Sequence, residues 1–332
     1  MKVCVIGSGL SGITSAIMLN EQGHDVEVFE TREHIGGNCY DEDMDGIKVH
    51  KYGLHCFHTN DEEVWSFLNR YTKFNDHELR VRANTKYGRI NIPYSLLTEQ
   101  QIGKKLTDEE IYNTIFKTYS ERHWGVPWSK LPKSIYNRVP TRRNSFDTRY
   151  SQHKYQGIPI NGYTQMMTNM LDGIKVHTGV HENEYKKLEY DKLIYTGKPD
   201  AFFNNYFGKL PYRSLRFTHT KEKRTNLFSF NTGAQINECH DPDIKYNRTV
   251  DNSVFLNQRK TYTIYTRDYP EEHTNHNEPI YPKRFREGRV IYNKYQKAIQ
   301  SEKNVIFLGR LATYSYMDMW VTIKQAIKRF KN

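Results

Sequence analysis

Residues 2–30 read KVCVIGSGLSGITSAIMLNEQGHDVEVFE, and this stretch decides the fold. Lys2–Ile6 is a short valine-rich apolar run, the pattern of a buried strand. Leu10, Ile13 and Ile17, with Ala16 beside them, recur at helical spacing, and Gly23 follows where a glycine ends a helix. His24–Glu30 reads as a second strand. Between the first strand and the helix stands Gly7-Ser8-Gly9-Leu10-Ser11-Gly12, a GxGxxG turn. Gly7 permits the tight turn, Gly9 lets a pyrophosphate approach the backbone, and Gly12 lets helix pack on strand. Glu30 ends the second strand, where a carboxylate can accept ribose hydroxyls. A β-α-β unit with this turn binds a dinucleotide.

FAD and NAD compete for such a unit. Arg32 and then His34-Ile35-Gly36-Gly37-Asn38 follow Glu30, and the glycine pair lets backbone pass close to a cofactor. Near the C-terminus, Asn304–Leu308 reads as a buried strand running into Gly309-Arg310. A loop and an amphipathic helix marked by Ile323, Ile327 and Phe330 come next. That helix can present its N-terminus to the rest of an extended flavin, a second contact that a simple NAD enzyme does not need. FAD is favoured.

The composition sets outer bounds. A chain of 332 residues can bury a substantial core in two or three domains. Its apolar runs stop at about five or six residues, far below the ~20 that span a bilayer, and no signal peptide is visible. The cysteines Cys4, Cys39, Cys56 and Cys239 are scattered without a CxxC, which suits reduced thiols and a cytoplasmic setting. The net charge of +11, with 25 tyrosines and 16 phenylalanines, suits nucleic acid or a nucleotide-shaped small molecule equally. No RNP motif or zinc-finger spacing is present, and KEKR at Lys221–Arg224 reads as a solvated loop. The expectation is no nucleic acid and no membrane insertion.

In the middle of the chain, Arg89–Pro93 is β-like. Thr107–Tyr119 reads as a helix capped by Thr107, with Ile111, Ile115 and Phe116 on one face. From about 210 to 270, RSLRF, LFSFN and TYTIYT alternate in the manner of antiparallel strands.

At this point the sequence resembles the UDP-galactopyranose mutase family, flavoenzymes that interconvert UDP-galactopyranose and UDP-galactofuranose. The resemblance runs over nearly the whole chain. It is carried by IGSGLSG, EHIGGN, HKYGLHCFHTNDEEVW, YSERHWG, LPKSIYNRVPTR, YQGIPINGYTQM, IYTGKPDAFF, YRSLRF, YNR, PIYP and GRLATYSYMDM, in that order. It implies an α/β fold with a discontinuous Rossmann-like FAD-binding domain (1–80, 170–212 and 300–332). A small helical domain (96–138) and an antiparallel-sheet substrate domain (81–95, 139–169 and 213–299) complete it, with a mobile loop near 136–146.

The stretch His50–Asn60, HKYGLHCFHTN, admits a metal site, a Cys56 nucleophile or a cofactor wall. His55 and His58 are three apart with no acidic ligand beside them, and imidazole next to a flavin can tune its electronics by hydrogen bonding. The resemblance likewise implies that these histidines line the flavin, so no metal is expected. It assigns Arg142 to the closing loop as a diphosphate clamp, with Arg143 as a rival, and Arg248 as its partner. Guanidinium suits a diphosphate because it binds two oxygens at once. By the same resemblance Tyr119, Trp124 and Tyr155 lie near the uridine and the loop, and Tyr281 and Tyr316 hold the diphosphate. Asn237 lies by flavin and sugar, and Gly309, Arg310, Met317, Asp318 and Met319 give the second FAD contact.

Two departures stand out. Ser95 takes the place of a family asparagine near the sugar, and only 23 residues separate it from Tyr119, which shortens the helical domain. A monomer, or a dimer through another surface, is therefore expected. The implied reaction is a mutase step through a reduced-flavin N5–sugar adduct, redox-neutral overall, with UDP-galactopyranose and UDP-galactofuranose as substrates. An FAD-dependent oxidoreductase of the amine-oxidase type is the alternative.

Overall fold

In the computed structural model, the described residues are 1–332 except 133–134, 136–140, 182–183, 185–186, 226, 229–232, 259 and 332. The strand read at Leu227–Asn231 and residues 136–140 of the expected loop therefore lie largely or wholly outside the described residues. The β-α-β start folds as its pattern dictates: strand Lys2–Ile6, helix Leu10–Asn20, strand Asp25–Phe29. These two strands pair in parallel, with Val5 opposite Val28, and anchor a five-stranded parallel sheet. Its other strands are Lys175–His177, Lys192–Tyr195 and Val305–Phe307, brought in from distant parts of the chain. Val3, Val5, Ile13, Ala16, Val28 and Ile194 form the core between this sheet and the first helix. The C-terminal helix Met319–Phe330 closes that layer with Ile323 and Ile327.

A second sheet of seven strands rises beside it. Its backbone is the pair Tyr212–Lys223 and Tyr262–Glu272, antiparallel from Arg213 opposite Glu272 to Lys223 opposite Tyr262. The sheet is mixed, not antiparallel throughout: Gln235–Glu238 runs parallel to Val81–Thr85. The hairpin Val81–Thr85/Gly88–Ile92 comes from far earlier in the chain and joins the sheet edge in the opposite sense. Lys221–Lys223, read above as loop, is the end of a strand whose side chains face water. Lys221 bridges to Asp45 there at 3.1 Å.

The helical insertion packs on that hairpin through Ile90, Ile92, Tyr94, Leu106, Ile111 and Ile115. Thr107 and Glu110 cap each other's backbone at its start. The expected helix Thr107–Tyr119 is in fact longer. A widened turn over Tyr112–Phe116 joins Asp108–Ile111 to Lys117–Trp124, and Gly125 (φ +67°) ends it. Such one-turn widenings re-aim the residues after them. Here those residues include Tyr119, His123 and Trp124. Among the described residues no helix is long and apolar enough to cross a membrane.

Candidate functional site

One cavity of about 1030 Å³ runs from the glycine turn of the parallel sheet to the strands of the second sheet. At the first end, Gly7 takes φ +99°, and a side chain on it would meet Thr196 Oγ1 at 2.1 Å. A methyl on Gly12 would stand 1.9 Å from the Gly7 carbonyl, so helix and turn touch backbone to backbone. Gly12 thus packs and does not line the cavity. Gly9 and Gly37 face each other across the wall, with a Cβ on Gly37 only 3.0 Å from the Gly9 Cα. The helix starting at Leu10 has no side-chain cap, which leaves its first N–H groups open to an anion.

Glu30 is held by the turn. Its Oε2 accepts from the Ser8 amide and hydroxyl, each at 2.8 Å, and its Oε1 accepts from the Arg32 amide at 3.0 Å. Arg32 donates to Asn38 at 3.0 Å, pairs with Glu278 at 3.1 Å and lies over the Tyr52 ring, yet its Nη1 is buried without a hydrogen-bond partner. Gly309 (φ +87°) brings the C-terminal loop against Ser11, and Met317, Asp318 and Met319 follow it along the cavity. The C-terminal helix that Asp318 precedes is also uncapped by any side chain.

The histidine loop crosses the middle. His55 donates its Nδ1 proton to the Gly53 carbonyl at 2.8 Å, which leaves Nε2 as a bare acceptor. Burial pushes its pKa down to about 3, so it is neutral. Cys56 is buried with its thiol pushed up to about 12, far from a thiolate nucleophile. His58 meets His153, their Nδ1 atoms 2.8 Å apart. Among the described residues no group of three or more His, Cys, Asp or Glu is placed to hold a metal ion.

The far end is cationic and aromatic. Arg248 forms a buried ion pair with Asp268, and Arg310 donates to the Ile280 carbonyl at 2.6 Å beneath the rings of Tyr281 and Tyr316. Those rings stack, with centroids 5.9 Å apart and planes 12° apart. Tyr119, His123 and Trp124 complete the wall, the His123 ring 4.7 Å from that of Tyr281. Asn237 faces the same space, its Oδ1 taken by Gln235 Nε2 at 2.6 Å.

Two expected residues sit differently. Tyr155 is outside the cavity: its ring stacks on Trp65 at 5.1 Å and its hydroxyl donates to Glu62 at 3.1 Å. The short strand Tyr155–Gly157 pairs with Phe57–Thr59, and this pairing turns position 155 outward. Tyr150, five residues earlier, lines the cavity in its stead. Arg142 does line the cavity, but its guanidinium donates to the carbonyls of Asp147, Arg149 and Tyr150. It ties its own loop together, whereas Arg143 pairs with Asp108 away from the cavity. Ser95 is fully buried, capping the helix Leu96–Ile102, and touches no part of the cavity. His153, Gln235, Asp268 and Tyr150 were not found from sequence. Only the nearness of His153 and Tyr150 to YQGIPINGYTQM pointed toward them.

Residues 114–316 match the family model for UDP-galactopyranose mutase, and residues 5–71 match an NAD(P)-binding Rossmann-like domain. A dTDP-fucopyranose mutase of Escherichia coli is 34% identical over 98% of this chain and 97% of its own length. A probable UDP-galactopyranose mutase of Klebsiella pneumoniae is 32% identical, covering 98% of this chain and 93% of that protein. A crystal structure of reduced UDP-galactopyranose mutase superposes with a TM-score of 0.77 at 15% identity, over 99% of this chain and 94% of that one. A putrescine oxidase shares the fold alone, with a TM-score of 0.62 at 12% identity over 99% of this chain and 98% of its own. The chain belongs to the UDP-galactopyranose mutase family.

Proposed function

We propose that the protein interconverts UDP-galactopyranose and UDP-galactofuranose, with FAD in the glycine-turn half of its cavity and the nucleotide sugar in the arginine–aromatic half. The observation that carries this reading is that the open helix N-terminus at Gly9 and the Arg248–Tyr281–Tyr316 group share a single cavity. An anionic cofactor and an anionic substrate can therefore meet. FAD fits the first half: the uncapped N-terminus suits a pyrophosphate, Arg32 Nη1 is a buried donor awaiting an acceptor, and Gly9 and Gly37 leave room for a close approach.

A bound, reduced flavin would supply the nucleophile, since burial keeps the cavity thiols of Cys39 and Cys56 protonated. The chain's own residues bind and orient. Arg248 is aimed by Asp268, and Arg310 adds a cation with no carboxylate partner among the described residues, so together they can retain a departing UDP. Tyr119, His123 and Trp124 offer faces for the uracil, a contact worth ~1–3 kcal/mol. His55, neutral and fixed in tautomer, offers only an acceptor to the centre of the cavity. Leu79, Ile92 and Ile115 keep the adjoining wall dry.

A cytoplasmic setting agrees with the four cysteines, all buried and unpaired. The short helical insertion favours a monomer, or a dimer through another surface, which light scattering reads directly. The decisive experiment incubates dithionite-reduced protein with UDP-galactofuranose and resolves the products. UDP-galactopyranose should form without stoichiometric consumption of reductant, and not from oxidised protein. Because the 34%-identical relative is a dTDP-fucopyranose mutase, a parallel incubation uses the dTDP-fucose pair. Bleaching of the flavin by an amine, with neither sugar converted, would instead identify an oxidoreductase.

A further inference from the structure

His58 and His153 touch through their Nδ1 atoms at 2.8 Å, with ring centroids 4.8 Å apart. Both line the cavity beside the start of the C-terminal helix. Two bare Nδ1 atoms at that distance repel each other, and so do two protonated ones. The contact therefore holds one proton. In the neutral pair one ring carries its proton on Nδ1 and the other on Nε2. One more proton converts the pair into a cation spread over two rings.

We propose that His58 and His153 form a one-proton dyad in the cofactor wall, taking a proton from solvent when two-electron reduction places negative charge on the bound flavin. This rests on the flavin reading above. The surroundings hold His58 neutral: burial, the largest effect, disfavours its charged form, the Asp318 carboxylate opposes that, and the adjoining His153 ring adds to it. The positive N-terminal end of the helix Met319–Phe330 opposes a cation, and Asp318 stands at that end to offset it. Trp320 meets the His153 ring edge-on and adds no charge.

The remaining charged groups nearby are closed on one another. Lys324 bridges Asp61 at 2.8 Å and Glu63 at 2.6 Å, and Lys154 bridges Glu62 at 2.8 Å. His55 has its Nδ1 proton committed to Gly53 and does not compete. Beside the uncharged ring of an oxidised flavin the dyad is neutral, and new negative charge on that ring tips it to the cation. The balance is two electrons from an external reductant such as dithionite and one proton to the flavin, with a second proton from water to the dyad. Reoxidation returns that proton.

The test is the pH dependence of the flavin midpoint potential in the holoprotein, with flavin content read in every sample. Above the pH at which the reduced flavin itself takes a second proton, the wild type should take two protons per two electrons wherever the dyad is neutral beside oxidised flavin and cationic beside reduced flavin, and one proton at higher pH. In that same range above the flavin's own second protonation, His58→Phe and His153→Phe should each leave one proton per two electrons, and the double variant should match the singles. Should His153→Phe fail to fold, His153→Asn keeps a hydrogen-bonding partner for His58 that cannot titrate, and it should give the same single-proton slope. Flavin-replete wild type with a single-proton slope throughout that range, or His153→Asn with the two-proton slope intact, overturns the dyad alone. Wild type that binds no flavin overturns both the dyad and the flavin reading.

Discussion

Arg248 and Asp268 stand directly opposite each other in neighbouring antiparallel strands, and their side chains form an ion pair inside the cavity wall. Both are largely buried, with side-chain exposures of 17% and 4%. A buried pair broken on one side leaves an uncompensated charge, at a cost of about 3–5 kcal/mol, whereas replacing both partners with apolar groups is often neutral. Arg248→Ala should therefore lose both stability and turnover while the protein still purifies with flavin. Arg248→Met combined with Asp268→Leu should recover the urea midpoint and stay inactive. Recovery of turnover in the double variant would show that the guanidinium has no part in holding the diphosphate.

Arg142 makes a different prediction from the one its place in the chain suggests. Its guanidinium satisfies three backbone carbonyls of its own loop, and leaving a buried carbonyl unpaired costs about 1–3 kcal/mol. Arg142→Ala should lower the urea midpoint clearly. Arg143→Ala removes one carbonyl bond, to Leu106 at 2.8 Å, and a pair with the exposed Asp108, so it should lower the midpoint less than Arg142→Ala does. An unchanged midpoint with a raised KM in Arg142→Ala would mark it as a substrate clamp and not a brace.

What could be read from the chain was what is encoded locally. Gly7, Gly9, Gly12 and Glu30 lie within one β-α-β unit, and their spacing alone places them around a turn. The partners that long-range pairing creates were invisible. Asp268 faces Arg248 only because two positions twenty residues apart meet in register across neighbouring strands, and His153 reaches His58 only through the pairing of Phe57–Thr59 with Tyr155–Gly157. The parallel seam between Gln235–Glu238 and Val81–Thr85 was missed for the same reason: alternation reports a strand, not its neighbour or direction. Lys221–Lys223 looked like loop because its charges face water, yet the backbone continues the ladder to Tyr262.

The buried histidines set the acid limb of stability. Burial pushes His50 and His55 down to about 3 and His77 to about 4. In the unfolded chain each titrates near 6.5. Between those values the unfolded state binds more protons, so stability falls as pH drops below about 6.5. The loss is up to ~1.4 kcal/mol per pH unit for each histidine, and it levels off below the folded-state values. Urea midpoints should hold from neutral pH upward and fall steeply on acidification. His50→Asn, whose amide can still accept from the His55 backbone N–H, should flatten that fall. An acid slope unchanged in the variant would show that His50 is not among the groups responsible.

Tyr150 and Tyr155 separate the cavity from its exterior within five residues. Tyr150 lines the cavity, and its amide is fixed to the Leu79 carbonyl at 2.7 Å, so the wall holds it in place. Tyr155 faces away, with its hydroxyl on Glu62 and its ring on Trp65. A hydroxyl that only meets an exposed carboxylate contributes little, because water replaces it. Tyr155→Phe should therefore keep wild-type kcat, KM and flavin content, with a stability change under about 1 kcal/mol. Tyr150→Phe removes a polar group from the space that the nucleotide sugar would fill, and it should raise KM or lower kcat by more than any change in the urea midpoint accounts for. Steady-state kinetics of the two variants with UDP-galactofuranose, beside their urea melts, distinguish the two positions. Equal kinetic damage from both would mean that the strand carrying Tyr155 sits differently in the working enzyme and turns that ring toward the substrate.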